Sequence, residues 1–558
     1  MQKVCKQCSA PFEVTDDDLA FYDKVSPVFN GKKELIPPPT LCPDCRLQLR
    51  LSFRNLRNLS HRTCDLTGAA IISCYRASSP HTVYRSKEWW GDGWSGTDFG
   101  RDFDFNRPFF DQFLDLYRVV PVVHQYATND IENCDYVNGV GNCKNCYLSF
   151  MMDFCEDCYY IGYAEHVRSS LDCLSITNCE LCYECIDCRD SYHLLFSEHC
   201  IRCSDSAFLS GCVRCKNCIG CINLVDKEYY IFNKAYSREE FLQQKAILLD
   251  GRNLMQTSEQ FRTWSLNAPH NYYFGSANED FSGDNITHIK NSYSCFDGHD
   301  LENCSYCTYV FEADNCMDYH VYGSHSSWIY NCTATGGNCS NDLFCLCCWS
   351  GSSYNLYCHL INACTHCFGC SGLKNKKYCI LNKQYSKEEY EELVPKIIAH
   401  MRSSGEWGEY FPIHLSAFGY NESEAQEYFP LTENEVVSRG WKWEKEDAIY
   451  EKYMGPAITI PPTIDTVDDS ICAKILRCDV TGKPYKIIPQ ELKFYREMKL
   501  PIPRKCPDQR HKERMALRNP RKLWKRNCMK CQKEIETTYA PDRPEIIYCE
   551  DCYLSTVY

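Results

Sequence analysis

Two stretches of the chain, Cys134 to Cys221 and Cys295 to Cys379, repeat a short pattern of polar turn residues and small apolar ones. Cysteine separations of three, nine and twelve recur: Cys143, Cys146, Cys155 and Cys158 set the theme, and Cys200, Cys203, Cys212 and Cys215 repeat it. The later stretch follows with Cys295, Cys304, Cys307 and Cys316, then Cys358, Cys367, Cys370 and Cys379. Asparagine repeatedly precedes cysteine, as at Asn142, Asn145, Asn178, Asn303 and Asn315, and it tolerates the left-handed conformation of a tight turn. Between turns, short segments such as Cys146 to Phe150 alternate like a strand. A twelve-residue period of turns and brief strands predicts stacked coils, a parallel β-solenoid with small cysteine side chains lining a narrow interior. Cys155, Cys179 and Cys203 also form a 24-residue ladder, so twelve residues fit either a full or a half coil.

The two arrays close alike. Leu224, Lys227, Tyr229, Ile231, Asn233, Lys234, Tyr236 and Ser237 match Leu373, Lys376, Tyr378, Ile380, Asn382, Lys383, Tyr385 and Ser386. Ser237 and Ser386 each precede a glutamate by three residues, the signature of a capping box opening a helix. Such helices would cover solenoid ends that otherwise expose strand edges and apolar interior. The aromatic run Phe103 to Tyr117 reads as a packing segment joining a terminal module to a solenoid. Gly91 to Gly96 fits G-x-G-x-x-G formally, but tryptophans precede it where a βαβ unit needs a strand, so a nucleotide site is rejected.

Outside the arrays, the two ends of the chain are copies of one another. At an offset of 464 residues, Cys42-Pro43-Asp44-Cys45-Arg46 meets Cys506-Pro507-Asp508-Gln509-Arg510, and Arg50, Arg54, Asn55 and Cys64 meet Arg514, Arg518, Asn519 and Cys528. Upstream the offset is 473, which places Cys5 on Cys478 and Tyr22 on Tyr495, the difference lying in one loop. Each copy has room for two four-cysteine sites and has kept a different one. The N-terminal copy keeps Cys5, Cys8, Cys42 and Cys45; the C-terminal copy keeps Cys528, Cys531, Cys549 and Cys552. The lost sites read Cys64, Thr67, Arg85 and Glu88, and Cys478, Thr481, Cys506 and Gln509. Paired C-x2-C knuckles suit tetrahedral zinc, whose charge four sites of thiolate character neutralise, so at least two zinc ions are expected. Thr15-Asp16-Asp17-Asp18 resembles a capping box before a helix through Phe21 and Tyr22, and Pro43 suits the first position of a second helix that would carry Cys45.

Cys5, Cys8, Phe12, Val14, Thr15, Phe21, Tyr22, Pro39, Cys42, Cys45 and Arg46 together resemble a widespread zinc-ribbon, treble-clef-like family with the pattern C-x2-C, F-x-V-T, F-Y, P and C-x2-C-R. That resemblance covers about fifty residues and implies a fold rather than an activity. The whole plan, with its N-K-x-Y-S-x-E-E closures and C-P-D-C-R ends, is similar to a cysteine-repeat family of uncultivated, reduced-genome bacteria, which brings no known reaction with it.

The expected architecture is mainly β: two cysteine-rich, parallel β-solenoid-like repeat arrays with capping helices, flanked by two small duplicated zinc-ribbon or treble-clef-like modules. The expected boundaries are 1–90 for the N-terminal zinc module, 91–127 for the aromatic connector, 128–224 for the first solenoid and 225–270 for its cap. The second solenoid takes 271–373, its cap and a linker 374–473, and the C-terminal zinc module 474–558.

Forty-three cysteines in 558 residues, an odd number in C-x2-C spacing, argue for metal ligands and buried thiols rather than disulfides. The start of the sequence lacks a charged-then-apolar leader pattern, and no apolar run is long enough to span a membrane, so a cytoplasmic protein without membrane contact is expected. Net charge is -14, which disfavours a protein that coats nucleic acid. Arginine is nevertheless concentrated at the ends. Arg46, Arg50 and Arg54, and their counterparts Arg510, Arg514 and Arg518, are spaced to share one helix face. Such a face offers bidentate forks to RNA or DNA phosphate; alternatively, the same guanidiniums pair with acids of the module. Protein partners could use the solenoid faces.

No G-x-S-x-G, H-E-x-x-H or phosphate-loop motif occurs. His193, His199, His320, His359 and His366 are scattered and read as surface or turn residues. The expectation is therefore a noncatalytic zinc-binding scaffold. Its rivals are a solenoid-groove enzyme acting on polysaccharide, with Asp153, Glu156 and Asp157 as unranked acids, and a thiol-rich metal or redox buffer.

Overall fold

The computed structural model describes residues 1–127, 130–324, 326–445 and 458–557; residues 446–457 of the expected linker lie outside these. Its dominant feature is the expected parallel β-solenoid, and the pairing register fixes the coil. Phe150 pairs in parallel with Gly162, Gly162 with Leu174, Tyr192 with Ser204, and Lys216 with Glu228. Partners twelve residues apart mean that twelve residues make one full coil.

The coil has four corners. Backbone φ is positive at every third residue, as at Asn142, Asn145, Leu148, Met151, Phe154 and Asp157. Asparagine and aspartate accept this conformation readily, whereas a leucine or phenylalanine placed there costs roughly 1–2 kcal/mol. The ladder offsets that cost: Asn145 Nδ2 donates to Asp157 Oδ1 on the next coil at 3.0 Å, and Asn178 Nδ2 to Asp190 Oδ1 at 3.0 Å. Each side of the square is thus three residues long, one at the corner, one pointing in and one pointing out.

That geometry explains the cysteines. A three-residue side spans roughly 10 Å, and four inward side chains must share the enclosed square, so only small ones fit at every level. Cys143, Cys146, Cys155, Cys158, Cys182, Cys185, Cys200, Cys203, Cys212 and Cys215 line the first interior with Val137, Ile161, Ala164 and Leu194. A second core holds Cys295, Cys304, Cys307, Cys316, Cys358, Cys367 and Cys370. The thiols are not idle polar groups. Cys158 Sγ donates to the carbonyls of Glu156 and Val167, both at 3.4 Å, and the same two-behind, nine-ahead pattern recurs at Cys185 and Cys358. Sulfur combines a small volume, high polarisability and weak donor capacity, which suits a channel walled by backbone carbonyls.

The second array departs from the first. Ala313 pairs with Ser326, Met317 with Tyr330 and Leu346 with His359, a thirteen-residue step, before Thr365 returns to twelve with Lys377. The extra residue sits at one corner of successive coils, beside Gly323, Gly337 and Gly351. A Cβ on Gly323 would meet the Phe311 carbonyl oxygen at 1.8 Å, and Gly337 and Gly351 have φ of 71° and 76°.

At the closures, Asn233 and Asn382 act as surrogate strands. The Asn382 amide accepts from Ser371 N–H at 2.9 Å and donates to Ser371 C=O at 2.7 Å, and Asn233 does the same to Ile222 at 3.0 and 2.9 Å. Both expected capping boxes form, on Ser237 for the Arg238–Leu248 helix and on Ser386 for the Lys387–Ser404 helix.

The described residues form two compact units, each discontinuous in sequence. One contains the N-terminal module, the aromatic connector and the second solenoid; the other contains the first solenoid and nearly all of the C-terminal module. In the first unit, the aromatic run forms the Phe109–Val119 helix, whose buried Phe109 packs edge-on against Tyr357 and Phe368. Glu406 accepts from the Phe109 and Phe110 N–H groups at 3.0 and 2.8 Å. The glycine-rich segment packs likewise: a Cβ on Gly96 would lie 2.6 Å from the Gly372 carbonyl. Among the described residues no helix is long and apolar enough to cross a membrane.

Candidate metal centres and the arginine face

The N-terminal centre is assembled as its sequence signals require. A hairpin, Gln2–Val4 with Pro11–Glu13, carries Cys5 and Cys8 at its turn. Thr15 and Asp18 form a reciprocal capping box on the Asp16–Val25 helix. Cys42 then caps the Pro43–Leu51 helix, with Pro43 in its first turn, so that Cys45 projects from that turn. The four sulfurs lie within 4.8 Å of one another, Cys8 Sγ and Cys42 Sγ at 3.7 Å. Hydrogen bonding from the Cys45 thiol pulls Cys42 down to about 5 despite the opposing cost of burial.

The C-terminal centre joins Cys528 and Cys531, from the turn between Trp524–Asn527 and Glu534–Thr537, to Cys549 and Cys552 at the start of the terminal Glu550–Val557 helix. Its sulfurs also lie within 4.8 Å of one another, with Cys531 Sγ and Cys549 Sγ at 3.6 Å. Burial raises Cys528, but N–H groups of Cys531, Cys549 and Lys530 turn the balance and bring it to about 6. Four sulfurs about 2.3 Å from a tetrahedral ion stand ~3.8 Å apart, and in each cluster one pair lies near that spacing with all four sulfurs within 4.8 Å of one another. Among the described residues no other set of three or more His, Cys, Asp or Glu side chains converges in this way. The solenoid thiols are free cysteines, all of them buried except the half-buried Cys134.

The positions that align with the two tetrads are taken up by other contacts. Cys64 Sγ accepts from Arg85 N–H at 3.4 Å, while Arg85 grips Glu88 at 2.8 and 2.6 Å, so the two positions that align with Cys549 and Cys552 form an ion pair. In the C-terminal copy, Thr481 Oγ1 meets Cys506 Sγ at 3.8 Å and Gln509 turns away to Glu513 at 2.9 Å.

Of the two readings of the arginine face, ion pairing inside the protein is the one the side chains adopt. The Pro43–Leu51 helix ends before Arg54 and the Pro507–Leu517 helix before Arg518, so neither stripe runs three turns. Moreover, Arg46, Arg50, Arg54, Arg510 and Arg514 are buried. Arg46 Nε and Arg50 Nη2 meet the two oxygens of Asp318 at 2.6 and 3.3 Å, and Arg50 Nη1 donates to Asn331 at 2.9 Å. Arg510 Nη1 and Arg514 Nη2 meet the two oxygens of Asp172 at 2.7 and 2.9 Å in the same way. Asp318 and Asp172 are both fully buried solenoid corner residues, with φ of 54° and 56°. The third arginines follow suit, Arg54 on Glu424 at 2.5 Å and Arg518 bidentate on Asp187 at 3.0 and 3.1 Å.

A further acid completes each lock. Asp18 and its counterpart Glu491 lie beside the first arginine, both buried and both pushed above the ordinary carboxylate range by desolvation. Glu491 accepts from Tyr160 and Tyr495 hydroxyls at 2.9 and 2.8 Å. Desolvation also wins at Arg50, which falls below its usual value, whereas Asp172 and Glu184 outweigh it at Arg514. Sequence reasoning missed Asp172 and Asp318. Both occupy the corner phase of their arrays, but nothing in a single sequence says which corner faces a module.

Other candidates are accounted for by the coil. Asp153 and Asp157 accept ladder hydrogen bonds from Asn142 and Asn145 at 2.9 and 3.0 Å. His193, His199 and His366 stand at corners as expected. His320 and His359 do not fit the expectation of surface residues: both are buried.

No protein-family model matches the chain, and no curated protein matches it. Five chains of solved structures do. One, the crystal structure of a protein assigned as an acetyltransferase from Desulfovibrio desulfuricans G20, is 11% identical over 45% of this chain and 68% of that one. Its TM-score of 0.11 is too low for fold or activity to carry over.

Proposed function

We propose that the chain is a noncatalytic zinc-binding scaffold in which each terminal module clamps a solenoid and holds it as a rigid surface for a partner. Cys5, Cys8, Cys42 and Cys45 would hold one ion and Cys528, Cys531, Cys549 and Cys552 the other. Zinc bound by four thiolates has no open coordination position and supplies structure, not reaction chemistry. The observation that carries this reading is the pair of four-sulfur clusters, the N-terminal one borne in part by the helix that the buried Arg46–Asp318 pair holds. Two of the three acids named for a polysaccharide-cleaving groove, Asp153 and Asp157, accept inter-coil hydrogen bonds from Asn142 and Asn145, and the thiols named for a metal buffer are bonded to carbonyls.

Arg46, Arg50, Arg54, Arg510, Arg514 and Arg518 serve this scaffold as internal clamps, and RNA or DNA is not their ligand. Replacing Arg510, Arg514 and Arg518 by Gln should lower the melting temperature and leave any RNA affinity and its salt slope unchanged. A slope that drops by about one per arginine removed would instead restore phosphate contact. Chelation of the metal should expose residues 1–60 and 520–557 to protease while the solenoids stay intact. Unaltered cleavage after complete zinc removal would count against a structural metal.

A further inference from the structure

The two centres differ in how firmly the chain holds its own ligands. At the N-terminal centre, Cys5, Cys42 and Cys45 are buried and Cys8 alone is exposed. The helix that bears Cys45 is the one pinned to the solenoid by Arg46 and Arg50. The C-terminal copy retains that lock on the Pro507–Leu517 helix, but this helix serves the lost site. Its surviving centre depends on the terminal Glu550–Val557 helix, which has no buried residue. There Cys531 is exposed and Cys552 half-buried. Apart from the metal ligands, the bonds that hold that helix include one from the Tyr553 hydroxyl to Asn223 Oδ1 on the first solenoid at 2.9 Å, and those from Lys530 to Ser555 and Thr556 at 3.2 and 2.8 Å. Asn223 in turn donates to the Pro269 carbonyl at 2.7 Å.

We infer that the C-terminal centre is an oxidant-releasable zinc site, and that loss of its ion frees the Glu550–Val557 helix from the solenoid. The inference rests on the zinc reading above. A zinc thiolate is nucleophilic in proportion to its access, and Cys531 is the accessible one. Its sulfur attacks the O–O bond of a peroxide, giving a sulfenic acid and hydroxide. The Cys549 thiolate, 3.6 Å away, then attacks that sulfenic sulfur and expels a second hydroxide. The two hydroxides take up two protons to become water, two thiolates have been oxidised to one disulfide, and the peroxide has been reduced. Two thiolates remain and no longer hold the ion. Because binding and local folding are coupled in such a module, the terminal helix then opens. The N-terminal centre, its helix locked by buried charge, keeps its zinc under the same challenge.

The test uses the full chain carrying two zinc ions, which elemental analysis must establish first; failure to find them refutes the zinc reading and not the asymmetry. Hydrogen peroxide is added while zinc release is followed with a chromogenic chelator, and hydrogen exchange is read by mass spectrometry. One of the two ions should leave in a fast phase, with a Cys531–Cys549 disulfide in the peptide map, accelerated exchange in residues 550–557 and unchanged exchange in residues 43–51. Cys528→Ser should lack the fast phase. Tyr553→Phe, which keeps all four ligands, should speed exchange in residues 550–557 without loss of zinc. Release of both ions in one phase, release from the N-terminal centre first, or unchanged exchange in residues 550–557 after zinc loss would each overturn the proposal.

Discussion

The unit that contains the N-terminal module and the one that contains most of the C-terminal module are built on the same plan, yet they have kept different parts of it. Both retain the two-arginine grip on a buried solenoid aspartate, Arg46 and Arg50 on Asp318, Arg510 and Arg514 on Asp172. They differ in which knuckle still holds four cysteines. A zinc site can be lost from a module when the protein offers a substitute, such as the Arg85–Glu88 pair. A buried guanidinium cannot be left without its carboxylate, because an unpaired buried charge costs several kcal/mol. The lock is thus the common framework of the two units, and the metal is a support that each places differently.

The largest effect should come from breaking a lock. Asp318→Ala or Asp172→Ala leaves two buried arginines unpaired and should destabilise its own unit by about 3–5 kcal/mol. Chemical denaturation would then show the affected unit melting first. If the two changes destabilised equally little, under about 1 kcal/mol, the framework role would fail.

Metal content should separate the kept sites from the lost ones. Cys528→Ser is expected to remove about one of two zinc ions and to loosen residues 524–557. Cys478→Ser and Cys506→Ser, although at ligand positions of the other copy, should remove none. Equal loss from both kinds of substitution, measured by elemental analysis, would mean that the first site of the C-terminal copy still holds metal.

Smaller effects belong to the solenoid interior. Cys185→Ala deletes a buried sulfur and its two carbonyl contacts and should cost about 1–2 kcal/mol, while larger Cys185→Leu should cost more by overfilling the square. A thermal scan of the two variants orders them, and a tolerated leucine would show that the interior is roomier than described.

A pH dependence should distinguish the units as well. His81 and His359, both buried in the first unit, are held down by desolvation at about 4 and about 3. Once unfolded they return to about 6.5. Between pH 6.5 and about 4 the unfolded chain therefore binds protons that the native chain refuses, and stability falls as pH falls, by up to about 1.4 kcal/mol per pH unit for each histidine. The slope of denaturation midpoint against pH for His81→Gln should be shallower than wild type; an identical slope would remove His81 from the account.

Much of this was legible in the residues. Thr15, Ser237 and Ser386 announced helices because a capping box is a local hydrogen-bonding device, and Pro43 placed Cys45 in a first turn for the same reason. The twelve-residue period gave the solenoid. What escaped was its finer grain: separations of three, nine and twelve are all multiples of three, the length of one side, but cysteine fills only some inward positions, and Ser149, Val167 and Leu194 hide the rest. The thirteen-residue coils from Ala313 to His359 were hidden too, since an added corner residue leaves the local pattern intact. The sequence leaves the arginine face with two readings, phosphate contact or internal pairing, because its spacing is visible and its partners are not. Asp318 lies 268 residues from Arg50, and no local rule joins them.

Whether each intact tetrad is a closed zinc site is decided by zinc stoichiometry together with X-ray absorption on the purified chain. Two zinc ions per chain are expected, each with four sulfur neighbours at about 2.3 Å and no nitrogen or oxygen in the inner shell. One ion or none in protein purified without chelator, or a mixed shell with oxygen or nitrogen ligands, would contradict that expectation.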